Sequence, residues 1–413
     1  MKNLTISCLL ILVIFFANEA LAANFNVSDV SGLRSALASA ATNHEDDIIS
    51  ISAGHYHTGG SPFVYNPSSD ENFALTIKGN GAETTILDGD LLEGVMVINT
   101  SSLADDSNCD IAVRAISFRN GNNPSTNGRG GLYIRTVNGD IIVERCTFEG
   151  NTGYYGGGLY ALALIAGNAT VQHNLFYDNY ADNRGGGAYV RSGAGVALFT
   201  ANVCMNNEAD WAGGGVLCST TSGKAVMTNN VFLGNVSRDA GGGARSYGDE
   251  VVITNNSFVN NSASLRGGGG LFVYQYSNNE TCFIYNNLFW NNTAVDNGED
   301  IYIDDDNNGD GIACLVRLYN NNYGVTGFYV SLGTNLLQGN NIHADPLLRS
   351  PDTGDVHLTA RSPCIDAGNA GAPELPDTDL DGGARTRGTA PDIGADEYVA
   401  SFLEGVKLLI LEE

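Results

Sequence analysis

Carboxylate side chains stand at matching places in the loops that precede successive glycine clusters. Asp182 and Asp210 occupy the same place counted back from their clusters, and Asp239 falls one place off in the following loop. If these loops stack as strands do, neighbouring carboxylates are separated by about 4.8 Å. That distance is near the ~5 Å of retaining glycosidases, and every second carboxylate falls near the range of inverting enzymes. The spacing is therefore compatible with glycoside hydrolysis.

Aromatic and basic side chains share these loops with the carboxylates. Tyr154, Tyr155 and Trp211 offer flat apolar faces on which sugar rings can stack. Arg184 and Arg238 could neutralise a uronate or act in lyase chemistry. Asp and Asn are also common turn formers. Three interpretations therefore stay open: catalysis, binding of a glycan or calcium without catalysis, and solvated turns.

Two acidic segments match the first half of a calcium-binding loop, with oxygen ligands at alternate positions before a glycine. Their ligand positions are Asp304, Asp306 and Asn308 in the first, and Asp377, Asp379 and Asp381 in the second. The bidentate glutamate of an EF-hand is missing, because Leu315 and Gly388 take its place. We expect either a looser calcium loop, completed by carboxylates from elsewhere, or solvated acidic turns.

The elements that must position these loops repeat about every 28 residues. One column is aromatic with a single exception: Phe118, Phe148, Phe176, Cys204, Phe232, Phe258, Phe289. The columns five and seven residues earlier are apolar in every copy, and residues two apart on a strand share a face. Stacked copies would place like residues over like residues. The period predicts an all-β fold, a single-stranded right-handed parallel β-helix or solenoid.

Two residue types mark the turns of the repeat. Asparagine stands two residues before the aromatic column, as at Asn174 and Asn202, and we expect it to bend the strand in the left-handed conformation. Glycine clusters precede the last strand of each copy and allow unusual backbone angles. An amphipathic stretch over residues 33–41, after Ser31, predicts a helix that caps the first coil.

The repeats resemble those of the polymorphic outer membrane proteins over about residues 118–300. The clearest copy has Phe-Tyr-Asp-Asn at 176–179 and Gly-Gly-Ala at 186–188. The end of the chain resembles the choice-of-anchor domain of bacterial β-helix proteins. It carries Asp-Pro at 345–346, Ser-Pro-Cys-Ile-Asp-Ala-Gly-Asn at 362–369 and Asp-Ile-Gly-Ala-Asp-Glu-Tyr at 392–398. Both resemblances imply an exported surface protein.

The domain organisation predicted from these features has four parts. Residues 1–22 read as a signal peptide, with Lys2, an apolar run over 9–16 and Ala-Leu-Ala at 20–22. The β-helix with its N-terminal cap follows over 23–343, then the choice-of-anchor-like module over 344–398 and a tail over 399–413. We expect a secreted or cell-surface, outer-membrane-associated monomer with no membrane span in the mature chain.

The net charge limits the kinds of partner that the chain can bind, and the cysteines bear on disulfides and zinc. The net charge of −26 argues against nucleic acid and anionic lipid, and it suits cations and neutral or cation-bridged glycans. Seven cysteines remain after the signal peptide, as buried thiols or with one or two disulfides. They show no zinc-ligand spacing with histidine, so we expect no zinc site.

The sequence favours an exported, non-catalytic, adhesin-like protein that binds glycans or other surfaces, with calcium as a stabilising ion. The alternative follows from the resemblance to the pectin-lyase-like superfamily, which shares the fold. It implies a polysaccharide lyase or glycoside hydrolase that acts on acidic glycans. A purely structural spacer is the third interpretation, because a fold does not fix a function.

Overall fold

The computed structural model describes residues 22–103, 105–125, 128–275, 280–305, 314–331 and 334–399. The predicted signal peptide and tail therefore lie outside the described residues, apart from Ala22 and Val399. The described chain is an all-β parallel solenoid of about ten turns, as the repeat predicts. No helix in this part of the chain is long and apolar enough to cross a membrane.

Each full turn contains four short strands that belong to four parallel sheets. One turn runs through Ile141–Glu144 in sheet I, Thr147–Glu149 in sheet II, Thr152–Tyr155 in sheet III and Leu159–Ala163 in sheet IV. The chain then returns to sheet I at Ala169–Gln172. Strands pair with those of the next turn, so that Phe148 lies opposite Phe176. The 28-residue period is therefore one turn of the solenoid.

Among the described residues the sheets contain the following strands. Sheet I has Ala23–Val27, Asp47–Ile51, Leu75–Lys78, Ile111–Arg114, Ile141–Glu144, Ala169–Gln172, Val196–Thr200, Lys224–Thr228, Glu250–Thr254, Thr281–Tyr285, Leu315–Tyr319 and Asn335–Gly339. Sheet II has Gly54–His57, Thr85–Asp88, Ser117–Arg119, Thr147–Glu149, Leu175–Tyr177, Val203–Met205, Val231–Leu233, Ser257–Val259 and Leu288–Trp290. Sheet III has Asn122–Asn123, Thr152–Tyr155, Tyr180–Arg184, Glu208–Ala209, Val236–Ser237, Ser262–Ala263 and Thr293–Ala294. Sheet IV has Phe63–Tyr65, Met96–Asn99, Leu132–Thr136, Leu159–Ala163, Ala188–Ser192, Val216–Thr220, Ala244–Tyr247, Leu271–Gln275, Ile301–Asp305 and Phe328–Val330.

The aromatic column fills the interior as a continuous stack. Phe118 and Phe148 are parallel with centroids 5.2 Å apart, and Phe148 and Phe176 follow at 4.8 Å. Cys204 interrupts the column, and there Phe199 of sheet I fills the gap, 5.8 Å from Phe176. The core therefore keeps its volume where the column changes residue type. All seven described cysteines are buried and form no disulfide.

The bend between sheets I and II differs from the prediction by one residue. The left-handed residue is the one before the asparagine, as at Ala201 with φ 52°. Asn202 itself is fully buried, and its side chain lies between neighbouring turns. Its oxygen accepts from the Asn174 N–H at 2.9 Å, and its amide donates to the Val171 carbonyl at 2.9 Å. The column therefore supplies hydrogen bonds to backbone groups at the bends, where strand pairing is interrupted.

Glycine has the backbone role predicted for it. Gly185 has φ 69°, and a Cβ atom there would lie 2.3 Å from the Ala188 carbonyl oxygen. Gly213 and Gly241 have the same φ of 69° on the next two turns. These positions need glycine both for the left-handed backbone and for the close approach.

The predicted helix is present and spans Val30–Ala40, with Asp29 as its N-cap. The Asp29 carboxylate accepts from the Gly32 N–H at 2.7 Å and from the Ser31 hydroxyl at 2.7 Å. The helix therefore begins before Ser31 rather than after it. Its buried residues belong to the main core: Leu33, Ala36, Leu37 and Ala40.

The C-terminal segment, residues 344–398, folds back over the outer face of sheet II. It contains a strand pair, Leu348–Ser350 with Asp355–Leu358, and a 3-10 turn at Pro351–Thr353. Its apolar side chains form a second core with the sheet. The buried members are Val231, Leu233, Val259 and Leu288 from sheet II, and Val356, Leu358, Cys364, Ile393 and Ala395 from the segment.

Asparagine at the left-handed position marks the turns that the segment covers. The amides of four such residues donate to carbonyls of the segment: Asn229 to Thr378, Asn255 to Asp392 and Gly394, Asn286 to Asn369, and Asn320 to Ala367. Earlier turns have Arg145, His173 and Ala201 at the same position. The residue type at the left-handed position therefore varies on the earlier turns, and it is asparagine where the C-terminal segment accepts its hydrogen bonds.

Asn202→Gly should lower the free energy of unfolding by about 2–4 kcal/mol, because two buried backbone groups lose their partners. Ala201→Gly should change it by less than about 1 kcal/mol, since glycine accepts the left-handed backbone. Urea unfolding followed by circular dichroism measures both. A neutral Asn202→Gly would mean that the asparagine column bends the strand and does not support it.

Asn255→Gly should loosen the C-terminal segment and leave the solenoid intact, because the left-handed backbone is kept while two hydrogen bonds to the segment and one from the Asn286 amide are lost. Hydrogen exchange should show faster exchange over residues 362–398 and unchanged exchange in sheets I and IV. Ala201→Gly is the matched control. It alters the same left-handed position on an earlier turn, where the alanine side chain has no amide to donate to the segment. Equal effects of the two variants would contradict the docking role of Asn255.

Candidate functional site

Four of the predicted site residues occupy one outward column at the edge of sheet III. Tyr154, Asp182, Asp210 and Arg238 each directly follow a residue of the paired series Gly153, Ala181, Ala209 and Ser237. They therefore lie on four successive turns. An extra residue in Tyr180–Arg184 shifts the register so that Arg184 lies opposite Tyr155. We call this surface the sheet III ridge; it comprises Tyr154, Tyr155, Asp182, Arg184, Asp210, Trp211, Arg238 and Asp239.

Arginines from the following turn pair with two of the three ridge carboxylates. Arg238 Nε lies 3.2 Å from Asp210 Oδ1, and Arg266 Nε lies 3.1 Å from Asp239 Oδ1. Asp182 is in a different environment, where burial and then the negative charge of Asp210 raise its pKa. Two carboxylates on adjacent turns therefore differ, one neutralised by arginine and one more easily protonated.

Trp211 is the exposed aromatic platform of the ridge. The Arg184 guanidinium lies over its ring at 3.8 Å from the centroid, and the residue remains 40% exposed. A cation–π contact of this kind fixes the orientation of the indole ring and covers only a small part of its surface. Trp211 thus presents a flat surface that is already oriented.

The ridge continues into a row of tyrosines on the outer face of sheet IV. Tyr154 and Tyr155 meet edge to face at 4.7 Å, and Tyr155 stacks on Tyr189 at 5.7 Å. Tyr189 in turn lies 5.2 Å from Tyr160, and Tyr160 lies 4.8 Å from Tyr133. The Asn183 amide donates to the Tyr154 hydroxyl at 3.0 Å. The predicted aromatic residues are therefore part of a surface that spans two sheets.

The sequence analysis missed the sheet IV tyrosines, although their pattern is simple. Each is the second residue of a strand that follows a glycine cluster, as in Leu159–Ala163 and Ala188–Ser192. A second row stands at the same position further along, where Phe272 stacks on Tyr302 at 5.1 Å and Tyr302 lies 4.7 Å from Tyr329. Alternation along a strand makes this column face outward.

The acidic loops are only partly described. Asp304 lies within the sheet IV strand Ile301–Asp305, and Asp306 and Asn308 lie outside the described residues. In the second loop Asp379 is buried and accepts from the Gly383 N–H at 2.6 Å, while Asp377 and Asp381 are exposed. Asp381 Oδ2 lies 3.1 Å from His357 Nε2. Calcium at either loop stays a prediction.

His357 and Asp396 form an ionisable cluster with Asp381. His357 bridges two carboxylates, since its Nδ1 also lies 2.5 Å from Asp355 Oδ1. The hydrogen bond to Asp381 raises the pKa of His357 to about 9, against the effect of burial. Burial raises the pKa of the Asp396 carboxyl to about 7. Both shifts favour the protonated forms in the folded chain.

Comparison with known proteins supports the fold and leaves the activity open. Residues 86–238 match the family model described as "Right handed beta helix region". A solved structure titled as a PL6 family alginate lyase, AlyGC, matches at a TM-score of 0.30 and 14% sequence identity, over 82% of this chain and 56% of that chain. The match thus spans just over half of that structure, and at this TM-score it says nothing about activity. No curated protein matches this chain.

Raising the pH from about 7 to about 10 should loosen the C-terminal segment. The folded pKa of His357, about 9, lies above its ordinary value of 6.5, so the stability it contributes is present at low pH and is lost as the pH rises through 9. Asp396, with a folded pKa of about 7 and an ordinary value of 3.8, changes in the same direction at lower pH. Hydrogen exchange over residues 355–381, corrected for the intrinsic rate, measures the effect.

His357→Gln should flatten this pH dependence, and His44→Gln should leave it unchanged. His44 is a fair control because it also lies beside two carboxylates, Asp70 at 3.7 Å and Glu71 at 3.5 Å, in a different part of the chain. The same alkaline loosening in His357→Gln and in the unmodified protein would contradict the assignment.

Proposed function

We propose that this protein is an exported β-helix that binds polysaccharide without cleaving it. The binding surface is the sheet III ridge together with the adjoining tyrosines of sheet IV. The observation that carries the proposal is Trp211, which stays 40% exposed while Arg184 holds its ring from one side. Sugar rings present apolar C–H faces, and an oriented aromatic ring binds such a face without ordering a flexible side chain.

The charges of the ridge favour a neutral glycan, or one whose carboxylates are bridged by cations. Arg238 and Arg266 are already paired with Asp210 and Asp239, so they offer little positive charge to a uronate. The net charge of −26 adds a general repulsion toward polyanions. A polyuronate would therefore need calcium or a similar ion at this surface.

The elongated shape of the surface supports a polymer as ligand. The ridge residues recur on successive turns, and each turn adds one strand spacing of about 4.8 Å. Tyr133 and Tyr160, whose ring centroids are 4.8 Å apart on neighbouring turns, extend the surface onto sheet IV, and the buried Tyr189 packs against Tyr160. Several weak contacts along one chain add up through multivalency, so no single deep pocket is required.

A second candidate function is hydrolysis or elimination within a polysaccharide, and the Asp182–Asp210 pair is what favours it. Asp182 has a raised pKa and so could act as a general acid, while the Asp210 carboxylate on the next turn lies 3.2 Å from Arg238 Nε. Against it, the Asp210 carboxylate is held in an ion pair, which weakens it as a nucleophile or base. Binding is therefore our first proposal.

We also propose the cellular setting that the sequence indicates. Residues 1–22 would direct export, and the mature chain would be a secreted or cell-surface monomer associated with the outer membrane. The helix Val30–Ala40 would cap the open first turn, which its burial against the core supports. Calcium would stabilise the acidic loops, for which the exposed Asp377 and Asp381 carboxylates are suitable ligands.

Trp211→Ala should weaken glycan binding about tenfold, equivalent to ~1.4 kcal/mol. Affinity electrophoresis and calorimetry with a soluble neutral β-glucan and with polygalacturonate, with and without calcium, measure the change. Leu265→Ala is the matched control, since Leu265 stands at the Trp211 position two turns later and is 66% exposed. Equal binding by Trp211→Ala and the unmodified protein would remove the proposed surface.

The same incubations test catalysis. New reducing ends would indicate hydrolysis, and new unsaturated ends absorbing in the ultraviolet would indicate a lyase. Either product would overturn the non-catalytic proposal, and its loss in Asp182→Asn would assign the general acid.

A further inference from the structure

Two histidines lie side by side on the outer face of the first strand of sheet II. Gly54–His57 alternates along its length, so that Tyr56 is buried in the core and His55 and His57 face outward. Their rings are 4.1 Å apart, and their side chains are 47% and 56% exposed. This end of sheet II is far along the solenoid from the strands that the C-terminal segment covers, the described part of which begins near Val203.

A carboxylate from the next turn completes the group. His57 pairs in register with Asp88 of Thr85–Asp88, and Asp88 Oδ2 lies 2.8 Å from His55 Nε2. One ring nitrogen of each histidine and one oxygen of Asp88 lie within 4.8 Å of one another. Ligands bound to one ion at about 2.0–2.2 Å are separated by less than that, so small side-chain rotations bring all three onto a single ion.

Hydrogen bonds behind these side chains hold them in the orientation that an ion needs. Asp90 Oδ1 lies 2.5 Å from His57 Nδ1, and Asp90 Oδ2 accepts from the Gly59 N–H at 2.9 Å. The contact engages Nδ1 of His57, so Nε2 would be the nitrogen that binds an ion. On the other side, the Asn120 amide lies 3.1 Å from both Asp88 oxygens. A carboxylate behind a histidine is the usual support of a protein metal site.

The group differs from the second histidine cluster in the chain. His357 has a carboxylate at each ring nitrogen, which favours its protonated form, and a protonated imidazole has no lone pair to give to an ion. His55 and His57 each have one ring nitrogen in contact with a carboxylate. This group also contains two imidazoles, whereas the other contains one. Two imidazoles and a carboxylate suit a borderline ion better than a hard one.

The cysteine and histidine spacing predicts no zinc site, because it does not show the carboxylate that the next turn supplies; from the geometry we propose that His55, His57 and Asp88 bind a divalent ion of the late first-row metals, with Zn²⁺ as the representative. Asp90 and Asn120 act as positioning residues. The ion would complete its coordination with water, because both histidines reach solvent. Ca²⁺ would not compete, since it prefers an all-oxygen shell of six to eight ligands. The site lies on sheet II and is independent of the glycan surface on sheets III and IV.

Calorimetry of the full mature chain with ZnCl₂ tests the proposal, with Co²⁺ as a spectroscopic probe of tetrahedral nitrogen and oxygen ligands. We expect one ion per chain and a visible Co²⁺ band. His55→Gln and His57→Gln should each lower the affinity at least tenfold and abolish the band. Asp90→Asn and Asn120→Ala should lower it about 10–100-fold, the range found when such supporting hydrogen bonds are removed.

His44→Gln is the matched control and should bind as the unmodified protein does, because His44 has carboxylates nearby and no second histidine partner in its contacts. His173→Gln, His343→Gln and His357→Gln test the three remaining histidines. Circular dichroism checks that each variant is folded. Substitutions at exposed positions such as His55 should leave the fold intact. Absence of Zn²⁺ binding at millimolar metal, or binding that His55→Gln and His57→Gln leave unchanged, would overturn the proposal.

Discussion

The solenoid depends on buried asparagine amides that join each bend to the next turn. One ladder runs through Asn174, Asn202, Asn230, Asn256, Asn287 and Asn321, and each amide oxygen accepts the backbone N–H of the preceding member. At a bend the chain changes sheet, so strand pairing cannot satisfy these backbone groups, and burial makes an unpaired one costly. The asparagine amide supplies a donor nitrogen and a separate acceptor oxygen. An ionised carboxylate has no donor, and a hydroxyl has one oxygen for both roles. A second ladder of the same kind lies between sheets II and III and runs through Asn151, Asn179, Asn207, Asn235, Asn261 and Asn292. It ends where the Asn292 amide donates to Asp300 at 2.9 Å. The strands, the Phe stack and the loops all take their positions from these two ladders.

The sequence predicted the solenoid well because its core columns repeat with little change. The period, the inward Phe column and the glycine turns need only residue type and spacing. The bend was misplaced by one residue, and the reason is physical. The left-handed position has little preference of its own, since Arg145, His173 and Ala201 all occupy it, and the strain of about 1–2 kcal/mol is offset by the ladder beside it. A column of identical residues marks a buried interaction, whereas the strained backbone stood in the variable column next to it.

The variable columns carry information about what covers them. Asparagine at the left-handed position and apolar residues such as Val231 and Val259 on sheet II occur where the C-terminal segment packs. Those contacts join residues 47–156 positions apart in the chain, as in the bonds from Asn320 to Ala367 and from Arg385 to Asn229. Nothing local to either segment specifies the pairing, so the sequence could indicate a distinct C-terminal module and not its location. The same holds for the ridge, where Arg238 meets Asp210 only because turns stack in register.

A solenoid separates the residues that hold it together from those that face outward, and this separation explains where its chemistry can lie. Substituting an outward residue changes one local contact and leaves the ladders and the Phe stack intact, so different stretches of one sheet can acquire different partners. Sheet II shows this directly: its first strand carries His55 and His57, and its later strands are covered by the chain's own C-terminal segment. On the sheet III ridge, Asp210 and Asp239 pair with Arg238 and Arg266, and Arg184 lies over the Trp211 ring. Carboxylates paired with arginine in this way are poorly suited to attack a substrate, and this argument from Asp210 and Asp239 supports the proposal of binding over that of cleavage.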